Sequence, residues 1–226
     1  MTLSHKYYMS IESIKTMRKS AKREWILAKA TEVFFEKGFE AVSMEEIAQR
    51  AEVSKGSLYT YFKSKADLYM AIQLAGLNLL NQKMSAVFTS NLNGLKMLAQ
   101  LGNHYIAFIH SNKGYFDAMN YFKDRNAFES VKDFTLIQAC QTNGLTAFNF
   151  LVRAIQIGIQ DGSIRKDVNP QSMALQIWAG TSGLSDLFFQ TNNMEHVLNI
   201  SITGEEWSMA KAFSDFMGTI RRAIAS

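Results

Sequence analysis

The chain has 226 residues, 47% hydrophobic and 19% charged, with one proline, one cysteine and a formal net charge of +4. That apolar mass can bury a core, which excludes a wholly disordered chain. The lone Cys140 excludes an internal disulfide or a thiol-based zinc site, and no apolar run approaches the ~20 residues of a membrane span, so no membrane partner and a cytoplasmic location are expected.

Charge is distributed unevenly. Residues 1–90 carry 13 Lys and Arg against 9 Asp and Glu, whereas residues 91–226 carry 11 against 11. All of the excess positive charge lies in the first two-fifths, as in a basic module that meets a polyanion beside a neutral module with another task. A single proline, Pro170, favours long unbroken helices, and no stretch sustains the period-two alternation of a strand. The expectation is an all-α fold.

In chain order, residues 1–21 read as a basic tail, a solvated arm able to add phosphate contacts. A helix is predicted from about Arg23, with Ile26, Ala30, Val33 and Phe34 on one face. It stops at Lys37-Gly38, where Gly38 can take a left-handed conformation and Phe39 can fold back. Ser43-Met44-Glu45-Glu46 is a capping box that opens a second helix near Met44. After a break at Glu52-Val53-Ser54, a short helix runs from about Lys55 to Tyr61. Ser64 caps a fourth, with Asp67 near the positive end of its dipole.

Beyond Ser90 the predicted helices lengthen. One spans about Gly94–His110 and a short piece reaches Phe122. One or two cover about Ala127–Gln160, with Asn143-Gly144 as a candidate kink, and Gly162 ends the run. Asn169 and Pro170 occupy the cap and first position of the next helix. Thr203-Gly204-Glu205-Glu206 caps a last helix running nearly to Ser226.

Two helices joined by a tight turn, the second of them short, form a helix-turn-helix. Leu58 and Phe62 share one face of the short helix and anchor it with Val53. The opposite face carries Gly56 and Thr60, flanked by Ser57 and Tyr59, holds no acid, and is bracketed by Lys55, Lys63 and Lys65. A helix entering a DNA major groove needs donors for phosphate oxygens, small residues for close approach, and no carboxylate to repel the backbone. Gly56 costs about 1 kcal/mol inside a helix relative to alanine, and its missing side chain lets backbone N–H groups near a phosphate.

The run Phe34…Lys37-Gly38-Phe39…Ser43…Ile47-Ala48…Ala51…Val53-Ser54-Lys55-Gly56-Ser57-Leu58-Tyr59…Tyr61-Phe62…Ser64-Lys65…Leu68 resembles the DNA-binding signature of the tetracycline-repressor-like (TetR) family. The resemblance covers about residues 22–80. It implies a three-helix DNA-binding head over 22–80, a linking fourth helix, and a larger helical effector-binding and dimerisation domain over 81–226. Carried over by position, Ser43 and Lys65 would contact phosphates, Lys55, Ser57, Thr60 and Tyr61 would face bases or backbone, Gly56 would allow close approach, and Tyr59 would reach a phosphate through its hydroxyl. One departure stands out. Glu52 occupies a turn position where the family usually has glycine, and a left-handed glutamate there would carry a steric cost of roughly 1 kcal/mol or more.

The last two helices carry apolar stripes, Ile177, Leu184 and Phe188 on one and Phe213, Met217 and Ile220 on the other. The resemblance implies that they pair with a second copy, so a homodimer would read a palindromic DNA operator. Aromatics between Tyr105 and Phe128 suggest an adaptable, largely apolar pocket for a small-molecule effector. Its candidate lining is Tyr105, Phe108, Phe122, Asn149 and Trp178. His104 and His110 lie six apart, off a common helical face, and no metal, cofactor or catalytic residue is expected. The function expected is a repressor released by its ligand. The alternatives are an all-helical enzyme or a DNA-binding protein without an inducer.

Overall fold

A computed structural model describes the backbone of residues 11–123, 125–190 and 209–226, and their side chains apart from those of 11–17, 188–190 and 209. The described elements are helical: α1 (Ile11–Lys37), α2 (Met44–Arg50), α3 (Lys55–Tyr61), α4 (Lys65–Ser85), a 3-10 turn (Ala86–Thr89), α5 (Gly94–Ser111), α6 (Lys113–Tyr121), α7 (Arg125–Glu129), α8 (Phe134–Asp161), α9 (Pro170–Gln190) and α10 (Met209–Ile224). Extended pairing among the described residues is limited to an isolated bridge between Ile164 and Ala225.

Helix ends follow local chemistry. Ser43, Ser54 and Asn93 accept the amides of Glu46, Ser57 and Lys96 at the starts of α2, α3 and α5. The Ser64 hydroxyl accepts the Asp67 amide at 3.0 Å, and the Asn169 side chain accepts the Ser172 amide at 2.9 Å behind Pro170. Gly38 and Gly162 terminate α1 and α8 with φ of +79° at both. Phe39 folds back onto Phe34, their rings stacked at 5.9 Å.

Three boundaries differ from the sequence expectation. α1 begins at Ile11, so residues 11–21 are helix rather than tail; this stretch holds no glycine or proline to stop a helix propagating back from the buried face. Asn143-Gly144 makes no break, because α8 continues through it and the Asn143 side chain donates to the Ala139 carbonyl one turn back. The break falls instead before α8, at residues 130–133. The predicted cap at 203–206 lies outside the described residues.

The chain divides into two units, one containing residues up to Gln73 with Tyr121–Ile137, the other Leu74–Asn120 with Gln138–Ser226. Segment 121–137 joins the rest of the first unit through ring packing and hydrogen bonds. Tyr69 packs against Tyr121 and Phe122 at 5.3 and 5.9 Å. The buried Asp67 carboxylate accepts the amides of Lys132 and Asp133 at 2.6 and 2.9 Å through one oxygen.

The first unit buries Ile26, Ala30, Val33, Phe34, Ile47, Ala48, Leu58, Phe62 and Leu68. In the second, Leu98, Leu101, Phe108, Ile109, Ile155 and Ile164 form the centre of one core cluster. There α5 and α8 cross backbone to backbone: a Cβ built on Gly94 would lie 2.0 Å from the Gly158 nitrogen. The crossing is tied down by the Asp161 carboxylate, which accepts the Gly94 amide at 2.7 Å, and by the Ser163 hydroxyl, which accepts that of Leu95 at 3.1 Å.

Candidate nucleic-acid interface

The interface is built on α3. Leu58 and Phe62 are buried and seat the helix from beneath, each such side chain contributing about 1.5–3 kcal/mol. The other face is open. Lys55, Gly56, Tyr59 and Thr60 are exposed, and Ser57 and Tyr61 are half-buried. The Thr60 hydroxyl donates to the Gly56 carbonyl at 3.0 Å. A Cβ built on Gly56 meets no atom within 4 Å, so nothing inside the protein requires glycine there, although glycine weakens the helix. A large phenol, Tyr59, stands 42% exposed on the same helix.

The turn before α3 has the strain anticipated from its sequence. Glu52 has a φ of +54° and is the one described residue other than glycine in that region. Its amide donates to the Gln49 carbonyl, and the next amide, of Val53, donates to the Ala48 carbonyl. α1 braces this turn, since the Trp25 indole donates to the Ala51 carbonyl at 3.0 Å while half of the ring stays exposed. The Arg23 guanidinium lies over the Phe62 ring at 4.7 Å, at the other end of α3.

Lys65, expected to meet a phosphate, and Lys55, expected to face bases or nearby backbone, are both engaged inside the protein. The Lys65 ammonium donates to the carbonyls of Phe39 at 2.8 Å, Val42 at 3.0 Å and, weakly, Glu40 at 3.5 Å, and lies 4.2 Å from the Phe39 ring centroid. Its three protons are thus directed at the loop between α1 and α2, so its phosphate role does not follow from this geometry. Lys55 pairs with Glu45 on α2. The acid-free surface expected for α3 is therefore true of the helix itself, but a carboxylate from its neighbour stands on its first residue. Lys37–Glu46 and Arg50–Glu36 are further pairs in this unit, at 2.5 and 2.9 Å. Their partners hold the carboxyls of Glu45 and Glu36 below the usual range, chiefly through the hydrogen bonds from Lys55 and Arg50. The sequence reading missed Trp25, Arg23 and Glu45. Their partners lie 26, 39 and 10 positions away, beyond any local pattern.

The expected effector residues are divided between the two units. Phe122 belongs to the first unit, packed on Tyr69 and Tyr121. In the second unit Phe108 is fully enclosed by core, whereas Asn149 is exposed. The Tyr105 hydroxyl lies 3.4 Å from that of Ser185, and burial pushes its ionisation above the ordinary phenol value. Other described residues form depressions within each unit. One, in the first unit, has a volume of about 590 Å³ and is lined by Phe39, Lys65, Tyr121 and Asn126 among others. A smaller one of about 230 Å³, between α5 and α10, is lined by Leu95, Leu98, Met217, Ile220 and Arg221 among others.

Four of the six expected dimer residues pack inward: Ile177 and Phe213 are buried, and Met217 and Ile220 pack on the chain's own core. Leu184 is half-buried, and the Phe188 side chain lies outside the described residues. The reason is the approach of α10 to α9 within one chain: a Cβ on Gly180 would meet the Phe216 ring at 2.4 Å. Among the described residues of the second unit, the large apolar side chains left exposed are Leu145 on α8 and Leu175 and Trp178 on α9. Leu145, Leu175 and Trp178 are 63%, 60% and 39% exposed. The ring of Trp178, named from sequence as a ligand contact, meets that of the partly buried Phe148 edge-on at 6.0 Å.

Residues 26–72 match the family model of bacterial regulatory proteins, tetR family. The HTH-type transcriptional activator FasR of Mycolicibacterium smegmatis is 36% identical over 95 residues, 42% of this chain and 43% of that protein. The chain thus spans less than half the length of that curated relative. The HTH-type transcriptional repressor DhaR of Mycobacterium sp. strain GP1 is 26% identical over 73% of this chain and 82% of its own length. Among solved structures, AibR in complex with isovaleryl coenzyme A and operator DNA superposes with a TM-score of 0.57 at 21% identity, covering 88% of this chain and 97% of that one.

Proposed function

We propose that the chain is a TetR-family sequence-specific transcriptional repressor that binds a palindromic operator as a homodimer and is released by a small, largely apolar ligand, a reading supported by the family-model match over residues 26–72. The observation that carries this reading is the outer face of α3. It is exposed, polar and glycine-bearing where the chain itself needs no glycine, which suits close approach to a groove. Ser43, Ser57, Tyr59, Thr60 and Tyr61 supply hydroxyls for phosphates and base edges, and Lys55 supplies charge once it leaves Glu45.

Repression rather than activation is favoured by where the relatives match. The likeness to the activator covers less than half of its length, whereas that to the repressor extends over most of its length. The relatives named here are regulators of transcription, which leaves the all-helical enzyme without support. The exposed side chains of Leu145, Leu175 and Trp178 mark the dimer surface in this reading, because a twofold contact buries one such surface against its copy. The effector would occupy the second unit, where the depression between α5 and α10 offers apolar walls and Arg221 for an acidic group.

Selection of operator sequences from random duplexes by the full-length chain tests the proposal. A palindrome with half-sites about 34 Å apart, or a multiple of that, bound tightly and lost steeply with salt, is the expected outcome. Tyr59→Ala should weaken binding at least tenfold with unchanged melting. Absence of sequence selection would sink the reading. Acyl thioesters, the class bound by AibR, form a first panel for release.

A further inference from the structure

We propose that Glu45 is a specificity-determining residue of the DNA-binding face, which holds Lys55 away from phosphates until a well-fitted duplex displaces it. The inference rests on the DNA-binding reading above and assigns a task to a residue on α2, outside the outward face of α3.

Three observations carry it. First, the Lys55 ammonium is bonded to a Glu45 carboxylate oxygen, joining the first turns of α2 and α3. Second, both side chains are largely exposed, 56% for Lys55 and 60% for Glu45. Exposed pairs contribute little to folding, so holding the fold together is a poor account of the contact. Third, Glu45 is well placed to stay ionised and in position. It lies in the first turn of α2 behind the Ser43 cap, where the helix dipole favours a negative charge, and its carboxyl is held below the usual range by Lys55 and by its own backbone amide.

The consequence for binding follows from counterion release. Each phosphate neutralised on a duplex steepens the dependence of log affinity on log salt by about 0.9. A lysine that must first leave a carboxylate contributes less of that gain, and the abandoned carboxylate then faces the phosphate backbone. Both effects penalise loose, sequence-independent docking. In a specific complex, where α3 seats fully, the loss is offset by base contacts that the non-specific complex lacks. Glu45 thereby widens the gap between operator and bulk DNA rather than raising affinity for either.

The test compares the full-length wild type with Glu45→Gln, Lys55→Gln, the double variant, and Glu36→Gln. The last removes an equal charge from the Arg50 pair, which does not involve α3. A duplex of random sequence is titrated at several salt concentrations, with melting curves as a check on folding. Glu45→Gln is expected to raise random-duplex affinity about three- to tenfold near 0.1 M salt and to steepen the salt slope by roughly 0.9. Glu36→Gln should leave the slope unchanged. In the Lys55→Gln background, Glu45→Gln should add no steepening. An unchanged slope for Glu45→Gln, or an equal gain for Glu36→Gln or in the Lys55→Gln background, would overturn the assignment as generic repulsion. If wild type binds no duplex at low salt, the DNA-binding reading itself fails, a result distinct from the other two.

Discussion

Lys65 is the residue for which local resemblance and geometry assign different work, and Lys65→Met separates them. Methionine keeps most of the stem and removes the ammonium. The change breaks two well-formed hydrogen bonds, to the carbonyls of Phe39 and Val42 at 2.8 and 3.0 Å, a long third to Glu40, and the charge–ring contact with Phe39. Hydrogen bonds from a charged donor contribute about 1.5–3 kcal/mol each, and a partly exposed cation–ring contact about 0.5–1. These carbonyls are part-buried or exposed, and water can replace some of the loss, so the net destabilisation should be about 2–3 kcal/mol. Urea unfolding followed by circular dichroism reads this directly, provided the slope with denaturant matches that of wild type. Duplex titration across salt supplies a second readout. A brace neutralises no phosphate and so releases no counterion, and the salt slope should stay as in wild type. A variant of unchanged unfolding midpoint whose slope is shallower by roughly 0.9 would refute the brace and restore the phosphate contact.

Three other outcomes are expected. Glu52→Gly should stabilise the protein by about 0.5–1 kcal/mol in the same unfolding assay, because relief of a left-handed glutamate is worth roughly 1–2 kcal/mol and the added freedom of the unfolded chain takes back roughly 0.5–1; a loss of stability would contradict this. Cys140 is buried, and its thiol ionisation is pushed up to about 12 by desolvation. Ellman's reagent at mildly alkaline pH should therefore label the native protein slowly and the urea-unfolded protein fast, and rapid native labelling would count against burial. Asp161 is held below its ordinary value of 3.8, mainly by the Ser163 hydrogen bond. The stability it adds is present above that value and is lost as pH falls through the lower folded one. Asp161→Asn should thus lose stability at neutral pH and match wild type in strong acid, and a pH-independent difference would argue against it.

Much of the helix pattern was legible in the sequence because the signals that start and stop helices are local. A cap hydroxyl bonds an amide three residues on, as at Ser43, Ser54 and Ser64. A stop such as Gly38 or Gly162 depends on that residue's own φ. The strain at Glu52 was legible for the same reason, as was the division of α3 into a buried face under Leu58 and Phe62 and an open one.

Tertiary structure decided what each face and charge is used for. Whether Lys65 meets carbonyls or phosphates depends on a loop 23 to 26 positions earlier in the chain. Whether Lys55 is unencumbered depends on how α2 crosses α3 and so brings Glu45 to it. The break before α8 is associated with Asp67, 65 residues from the nearer amide it accepts. The apolar stripes of α9 and α10 were visible in sequence, but an amphipathic stripe specifies only that one side avoids water. The close approach at Gly180 and Phe216 turned the α10 stripe, together with Ile177 on α9, into core and left Leu175 and Trp178 on the surface. A helix period records which residues share a side, whereas the partner for that side is set by the packing of elements distant in the chain.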